Sequence, residues 1–202
     1  MTNQNAAGPP PPAESPSPTS PATRDREQAY ALVGQEIADK YKVLEVLGQG
    51  GFGAVFLVEI TAGMVGQKLA LKLLPPELSR SETVRNQFLN EIRVAMKMVD
   101  RYIVQVRDVG TTEDGHLYYT MDFCPGQTLA ELVGTEGRVE PRRAALIVLK
   151  ILRALRTAHG AGIIHRDLKP ANVMVHHEGD HETVRVLDFG IATVLRGAEK
   201  GR

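Results

Sequence analysis

Two strand-like runs around a glycine-rich turn open the globular part of the chain. "YKVLEVL" (41–47) and "AVFLVEI" (54–60) are rich in β-branched, aromatic and aliphatic residues, and "GQGGFG" separates them. This composition is typical of two strands joined by a turn. A third run, "QKLALKLL" (67–74), stops at Pro75 and Pro76. The pattern predicts three consecutive β-strands.

Apolar residues at helical spacing follow the third strand. The segment 82–99, "ETVRNQFLNEIRVAMKMV", predicts a helix. The apolar face of this helix is predicted to contain Phe88, Ile92, Ala95, Met96 and Val99. The next run, "HLYYTMDF" (116–123), predicts another strand.

The second half of the chain is predicted to be mainly helical. Thr128 and Glu131 match a capping box that opens a short helix. Residues 142–159 are apolar on almost every side, which is typical of a buried helix. Short strands are predicted within 162–177 and 183–190.

The N-terminal segment differs in composition from the rest. Its first 23 residues hold seven of the twelve prolines and almost no large apolar side chain, so residues 1–24 are predicted to be disordered. The four prolines at positions 9–12 could form a polyproline II ligand, but composition favours a solvated leader. Residues 25–40 are assigned to a connector and residues 41–202 to one globular domain.

Composition narrows the classes of function. A chain of 202 residues, 43% hydrophobic and 24% charged, is typical of one globular domain with a tail. The 24 basic and 24 acidic residues balance, which does not favour nucleic acid or an anionic membrane as a partner. The single cysteine suits a reducing compartment. With no secretory signal and no long apolar run, we expect a cytoplasmic location.

Gly48, Gly50 and Gly53 match the G-x-G-x-x-G pattern, which brings the backbone close to a phosphate. In a dinucleotide-binding fold this loop leads into a helix, and an acidic residue follows about 20 residues later. Here a strand follows, and the basic Lys72 stands at that distance. The pattern therefore favours the hairpin tip that covers ATP phosphates in protein kinases.

Lys72 lies in the "LALKLL" part of the third predicted strand, where its neighbours are leucine and alanine. A lysine with a buried stem needs an anionic partner, although this segment alone fits a solvent-facing edge lysine equally well. Glu91 lies three residues after Phe88 and four before Ala95, so it shares the apolar face of its helix. We therefore predict an ion pair between Lys72 and Glu91.

The stretch "HRDLKPAN" (165–172) combines groups suited to phosphoryl transfer. Asp167 can accept a hydroxyl proton, Lys169 can neutralise a phosphoryl group, and Asn172 can ligate Mg²⁺. Asp188, in "DFG", offers a second hard oxygen ligand. Singly, Asp167 also fits a turn cap and Asp188 a strand end, but their joint order favours phosphoryl transfer.

The histidine-rich stretch "HHEGDH" (176–181) is a second candidate for metal binding. It lies between two predicted strands, and its spacing matches no zinc pattern. The central "EGD" therefore predicts a polar hairpin turn.

Residues 41–195 resemble the eukaryotic-like serine/threonine protein kinases. "GQGGFGAV" resembles their glycine-rich loop, "LALK" the third-strand lysine motif, "HRDLKPAN" the catalytic loop and "DFG" the magnesium loop. The resemblance implies an α+β, two-lobe fold. A small antiparallel β lobe with helix C spans 41–121, a hinge 122–126, and an incomplete, mainly helical large lobe 127–202.

The resemblance implies ATP and Mg²⁺ as cofactors and assigns roles to residues of this chain. Asp167 is implied as the catalytic base, Lys169 as a γ-phosphate contact, and Asn172 and Asp188 as magnesium ligands. Met121 is implied as the gatekeeper, although core packing explains its side chain equally well. The implied ATP-binding residues are Leu47, Gly48, Gln49, Gly50, Gly51, Phe52, Gly53, Ala54, Val55, Ala70, Lys72, Glu91, Met121, Asp122, Cys124 and Met174.

Two residues beside the implied base indicate the substrate class. Lys169 is typical of serine/threonine kinases, and Arg166 favours a protein substrate over the small molecules of related phosphotransferases. The implied partners are proteins with serine or threonine acceptors. Arg166 is also expected to pair with a phosphorylated activation loop.

Two departures from the family pattern affect the expected activity. "DRYIV" (100–104) stands where the family commonly has "HPNIV", and the sequence ends twelve residues after Gly190 without an "APE" motif. We expect a fragment with little catalytic activity alone. The alternative is a catalytically inactive nucleotide-binding or scaffolding module.

Overall fold

The computed structural model describes residues 27–50, 53–76, 81–179 and 181–189. The predictions made for the leader 1–24, for Gly51 and Phe52 and for the chain after Phe189 lie outside the described residues.

A six-stranded antiparallel sheet forms the first lobe, in the order β1-β2-β3-β4-β6-β5. The strands are β1 (Glu36–Ile37), β2 (Tyr41–Gly50), β3 (Gly53–Ile60), β4 (Lys68–Leu73), β5 (Val106–Thr111) and β6 (Leu117–Asp122). Buried and half-buried positions alternate strictly along β3, because successive side chains of a strand point to opposite faces. The predicted strands are confirmed, and the small-lobe sheet carries the glycine pattern at its β2–β3 turn.

Helix α1 (Glu82–Met96) packs on this sheet through Phe88, Ile92 and Ala95. Ser81 caps its N-terminus by accepting a hydrogen bond from the Val84 amide. The predicted position of Val99 on the buried face is wrong, because the helix ends at Met96 and Val99 is 85% exposed.

The residues that precede the first long strand pack onto the lobe. Ala29 and Ile37 are buried with Tyr41 in the core on the other face of the sheet. Asp108 on β5 binds both the end of the preceding segment and the start of β2. Its Oδ2 lies 2.7 Å from Lys40 Nζ and accepts a 2.6 Å hydrogen bond from the Tyr41 hydroxyl. The described part of the connector is therefore an ordered part of the small lobe.

The described part of the second lobe combines two helices with a three-stranded sheet. Its elements are β7 (Gln127–Thr128), α2 (Leu129–Glu136), α3 (Pro141–Gly160), a 3₁₀ turn (Pro170–Asn172), β8 (Val173–Glu178) and β9 (His181–Val186). The predicted capping box at α2 is confirmed in both hydrogen bonds. The predicted hairpin in "HHEGDH" is also confirmed, since β8 and β9 pair antiparallel from His176↔Thr183 to Glu178↔His181. No helix among the described residues has the length and apolar character needed to cross a bilayer.

Helix α3 is buried on one face only. Ile147, Ala154 and Ala158 are at most 1% exposed. On the opposite side, four large apolar side chains are between 44% and 56% exposed: Leu146, Val148, Leu149 and Leu152. The predicted buried helix is therefore covered on one face, and no described element covers its apolar outer face.

The segment 100–104 joins the two lobes. Asp100 Oδ2 accepts a 2.6 Å hydrogen bond from Thr157 on α3. Ile103 forms a parallel bridge with Val186 at the end of β9, and the Val104 amide donates to the Val186 carbonyl at 3.0 Å. The same segment therefore contacts α3 and the strand that leads to Asp188.

Candidate active site

Gly48, Gly50 and Gly53 lie at the closing end of the β2–β3 hairpin, as predicted. The pairs Gln49↔Ala54 and Gly50↔Gly53 close the hairpin. Gly53 has φ +104°, and a Cβ there would lie 2.0 Å from the Leu73 carbonyl oxygen, so this position requires glycine.

The remaining predicted ATP-binding residues of the small lobe lie around this hairpin and on the next strands. Leu47 and Gly48 lie on the exposed part of β2, and Val55 is half-buried on β3. Ala70 on β4 pairs with Met121 on β6, and both are buried. The structure thus brings the glycine hairpin, the third strand and the implied gatekeeper into one continuous sheet.

The implied hinge follows β6. The Asp122 amide donates to the Gln105 carbonyl at 2.9 Å, and Arg107 binds both oxygens of the Asp122 carboxylate, at 2.5 and 2.9 Å. Arg185 Nη1 donates to Cys124 Sγ at 3.6 Å, while burial raises the pKa of that thiol. Both hinge side chains therefore contact other side chains of the protein.

Lys72 is buried, with 9% of its surface exposed, which excludes the solvent-facing alternative. Its Nζ lies 2.6 Å from Asp188 Oδ2. The hydroxyl of Tyr119 donates to Asp188 Oδ1 at 2.7 Å. Burial alone would raise the pKa of Asp188, but the charge of Lys72 and the hydrogen bonds from Lys72 and Tyr119 outweigh burial and lower it. Asp188 is therefore an ionised carboxylate held by two donors.

The predicted ion pair between Lys72 and Glu91 is wrong for this structure. Glu91 Oε2 is buried and accepts no hydrogen bond from the residues described. Its carboxyl instead lines a cleft of about 510 Å³ between α1 and residues 161–166, together with Arg166. Burial raises the pKa of Glu91, although the charge of Arg166 and a hydrogen bond with Gln87 partly oppose this. The physical reason is that two carboxylates compete for the ammonium group of Lys72, and Asp188 is the one that binds it.

The predicted catalytic loop brings Asp167, Lys169 and Asn172 together. Lys169 Nζ lies 2.8 Å from Asp167 Oδ2. Asn172 Nδ2 donates to the Asp167 carbonyl at 2.8 Å and to Asp167 Oδ2 at 3.2 Å. Because the amide nitrogen is used in this way, the amide oxygen of Asn172 is left as a potential metal ligand.

Backbone contacts join the catalytic loop to the magnesium loop. The Leu187 amide donates to the Asn172 carbonyl at 2.9 Å, and His165 Nε2 lies 2.8 Å from the Leu187 carbonyl. The buried ring of His165 packs against Phe189 with 4.6 Å between ring centroids. The two predicted magnesium ligands therefore come from adjacent, mutually bonded segments. Met174, two residues after Asn172, is half-buried on β8.

The donor set fits a magnesium–nucleotide complex. Two oxygen ligands from Asn172 and Asp188 are the hard ligands that Mg²⁺ binds beside substrate phosphates. Lys72 supplies a buried positive charge, and the Gly53 hairpin allows close backbone approach. Asp167 supplies a carboxylate next to this group, so the arrangement suits transfer of a phosphoryl group to a hydroxyl.

Sequence reasoning missed Tyr119, Arg107 and Arg185. Tyr119 was assigned only to a strand, yet its hydroxyl binds the same carboxylate as Lys72. The signal lies in the strand register, because Tyr119 pairs directly with Lys72 across β4 and β6. That register is set by the folded sheet and is not visible in either segment alone.

Comparison with known proteins agrees with this geometry. Residues 41–201 match the protein kinase domain family. The chain is 37% identical over 170 residues to the serine/threonine-protein kinase pkn3 of Myxococcus xanthus, covering 84% of this chain and 31% of that protein. It is 34% identical over 164 residues to the serine/threonine-protein kinase PrkC of Bacillus subtilis, covering 81% of this chain and 24% of that protein.

A solved structure shows the same fold. The Mycobacterium tuberculosis PknI kinase domain superposes with a TM-score of 0.69 at 30% identity, covering 79% of this chain and 61% of that domain. The chain thus spans less than two thirds of that kinase domain and less than a third of the two curated kinases. The family match, the bacterial relatives and the shared fold together make the chain a member of the serine/threonine protein kinases.

Proposed function

We propose that the residues around Lys72 and Asp188 form an ATP- and Mg²⁺-dependent site for phosphoryl transfer to serine and threonine hydroxyls of proteins. One observation carries the proposal: Lys72–Asp188 and Asp167–Asn172 belong to segments bonded to each other through Leu187 and Asn172. Phosphoryl transfer depends mainly on positioning and charge neutralisation, and this group of residues offers both.

Each residue has a distinct task. Lys72 places its charge at the nucleotide phosphates, and Asn172 and Asp188 supply the metal ligands. The bound Mg²⁺–ATP complex supplies the phosphoryl donor and neutralises charge on its leaving group. Asp167 accepts the proton of the acceptor hydroxyl while its oxygen forms the new bond to the γ-phosphorus. The bond from that phosphorus to the β-phosphate oxygen breaks, and ADP leaves.

We also propose that the domain works in the cytoplasm, where ATP is available.

Lys169 supports this assignment of Asp167. Its ammonium group lies 2.8 Å from the Asp167 carboxylate and is about half exposed. The positive charge can therefore move from Asp167 to an incoming phosphoryl group without crossing the core. A proton acceptor beside a movable cation is the arrangement expected for transfer to a neutral hydroxyl.

The test uses the protein at its natural length and a serine- and threonine-containing protein substrate. Asp167→Asn should lower the transfer rate by about 10²- to 10⁴-fold, because an amide cannot accept the hydroxyl proton. Nucleotide binding should persist. Asp114→Asn, in the exposed β5–β6 turn, is the matched control and should retain the full rate.

Phosphoamino-acid analysis of the product identifies the acceptor. Phosphoserine and phosphothreonine are expected. A product that is mainly phosphotyrosine, or an Asp167→Asn protein with the wild-type rate, would contradict the proposed function.

A further inference from the structure

We propose that Tyr119 is a positioning residue for Asp188 and that it forms, together with Lys72, a two-donor clamp on the magnesium-binding carboxylate. This inference rests on the proposed function, because it concerns the orientation of a ligand of that site. It adds a residue outside the four motifs that identified the site.

The strand register builds the clamp. Lys72 on β4 and Tyr119 on β6 are direct cross-strand partners, so their side chains leave the sheet on the same face. Lys72 Nζ reaches Oδ2 of Asp188 at 2.6 Å, and the Tyr119 hydroxyl reaches Oδ1 at 2.7 Å. Each carboxylate oxygen therefore has its own donor.

Tyr119 is held rigidly in this position. The residue is fully buried, with 0% of its surface exposed, and its ring packs 6.2 Å from the ring of Phe88 on α1. A buried phenol needs a hydrogen-bond partner, because leaving its hydroxyl unpaired costs about 1–3 kcal/mol. Among the described residues, Asp188 provides that partner. The adjacent Tyr118 belongs to the core on the other face of the sheet.

Nucleotide binding is expected to affect the two contacts to Asp188 differently. When a nucleotide binds, its phosphates are expected to compete with Asp188 for the ammonium group of Lys72. The Tyr119 hydroxyl is neutral, so the phosphates do not compete for it in the same way. A carboxylate oxygen has two lone pairs, so the hydrogen bond from Tyr119 leaves Oδ1 able to contact a metal. Tyr119 therefore keeps the carboxylate oriented while Lys72 is engaged elsewhere.

Removing only the hydroxyl tests the clamp. In the full-length protein, Tyr119→Phe should weaken Mg²⁺ binding by about 10- to 100-fold, the usual effect of losing a hydrogen bond to a metal ligand. The measurement is a Mg²⁺ titration of the binding of a fluorescent, non-hydrolysable ATP analogue. Mn²⁺ binding followed by electron paramagnetic resonance should show the same loss. The KM for the protein substrate should not change.

Tyr118→Phe is the control, since it removes a neighbouring hydroxyl from the opposite face, and it should leave the Mg²⁺ titration unchanged. In an Asp188→Asn background, Tyr119→Phe should cause no further loss of Mg²⁺ affinity. Wild-type Mg²⁺ affinity in Tyr119→Phe, or an equal further loss in the Asp188→Asn background, would overturn the clamp while leaving the proposed function intact. If the affinity of the wild-type protein for the ATP analogue did not depend on Mg²⁺, that result would instead overturn the proposed function.

Discussion

The ammonium group of Lys72 binds Asp188 at 2.6 Å, although Glu91 on α1 is the carboxylate that shares the helix face directed to the sheet. Among the described residues, no donor reaches the buried Oε2 of Glu91. The structure therefore holds the lysine with the magnesium-loop aspartate, and any contact between Lys72 and Glu91 requires movement of α1 or exchange of the ion pair.

Glu91→Gln should keep or raise the stability of the protein and leave its activity largely unchanged. The pKa of Glu91 is raised in the folded protein, so ionisation of this group disfavours folding as pH rises above its ordinary value. The variant should therefore melt at the same or a higher temperature than wild type at pH 7. This difference should shrink below pH 4.5, the ordinary pKa. Phosphoryl transfer by the full-length protein should change little, because Lys72 is paired with Asp188 rather than with Glu91. Glu113→Gln, in an exposed turn, is the control for both measurements, and a marked loss of melting temperature in Glu91→Gln would contradict the argument.

Lys72→Met should destabilise the fold as well as abolish transfer. Breaking a buried ion pair leaves an uncompensated charge, with a typical cost of about 3–5 kcal/mol. Among the described residues, Asp188 then keeps its hydrogen bond from Tyr119. Because the pKa of Asp188 is lowered in the folded state, the contribution of the pair is present at pH 7 and is lost as pH falls below the ordinary value of 3.8. The cost of Lys72→Met should therefore decrease in acid.

Urea unfolding at several pH values measures this cost. The double variant Lys72→Met/Asp188→Asn should recover part of the stability, since the unpaired charge is removed. Lys68→Met, at an exposed position on the same strand, should unfold like wild type. Equal unfolding curves for Lys72→Met and Lys68→Met would argue against a stabilising pair.

Two glycines of the hairpin should respond differently to alanine. Gly53→Ala places a Cβ 2.0 Å from the Leu73 carbonyl at φ +104°, and such backbone strain costs about 1–3 kcal/mol. Gly48→Ala meets no atom within 4 Å and should have little effect on folding. Thermal melting and binding of a fluorescent ATP analogue distinguish the two, and similar losses in both variants would contradict this difference.

The outer face of α3 should make the isolated 202-residue chain bind hydrophobic dyes. Leu146, Leu149 and Leu152 are 50%, 44% and 56% exposed, and a contiguous apolar patch of this kind promotes association. Leu152→Lys should reduce dye fluorescence and aggregation without lowering the melting temperature. Ile147→Lys, on the buried face at 1% exposure, should unfold the lobe. We also expect the isolated chain to transfer little phosphate, because no element among the described residues packs on this face of the lobe that carries Asp167. Strong magnesium-dependent transfer by a monodisperse sample would contradict that expectation.

Most secondary structure and the functional groups of the candidate active site followed from the sequence. Alternating and helical hydrophobic patterns depend on neighbours two to four residues apart, so the runs at 41–47, 54–60 and 82–96 predicted β2, β3 and α1 correctly. The order of the glycine hairpin, Lys72, "HRDLKPAN" and "DFG" was enough to predict a kinase, because each motif carries its own functional groups.

Tertiary structure alone decided which charges meet. Spacing in the sequence showed that Glu91 lies on the helix face that contacts the sheet, but the strength of an ion pair changes over a few ångströms. The packing of α1 and the path of β9 set those distances, and they brought Asp188 to Lys72 from 116 residues away. The same holds for Tyr119, whose hydroxyl reaches Asp188 because the β4–β6 register places it opposite Lys72. Pairing across a sheet and packing between lobes depend on contacts between distant segments, and no local pattern of residues encodes them.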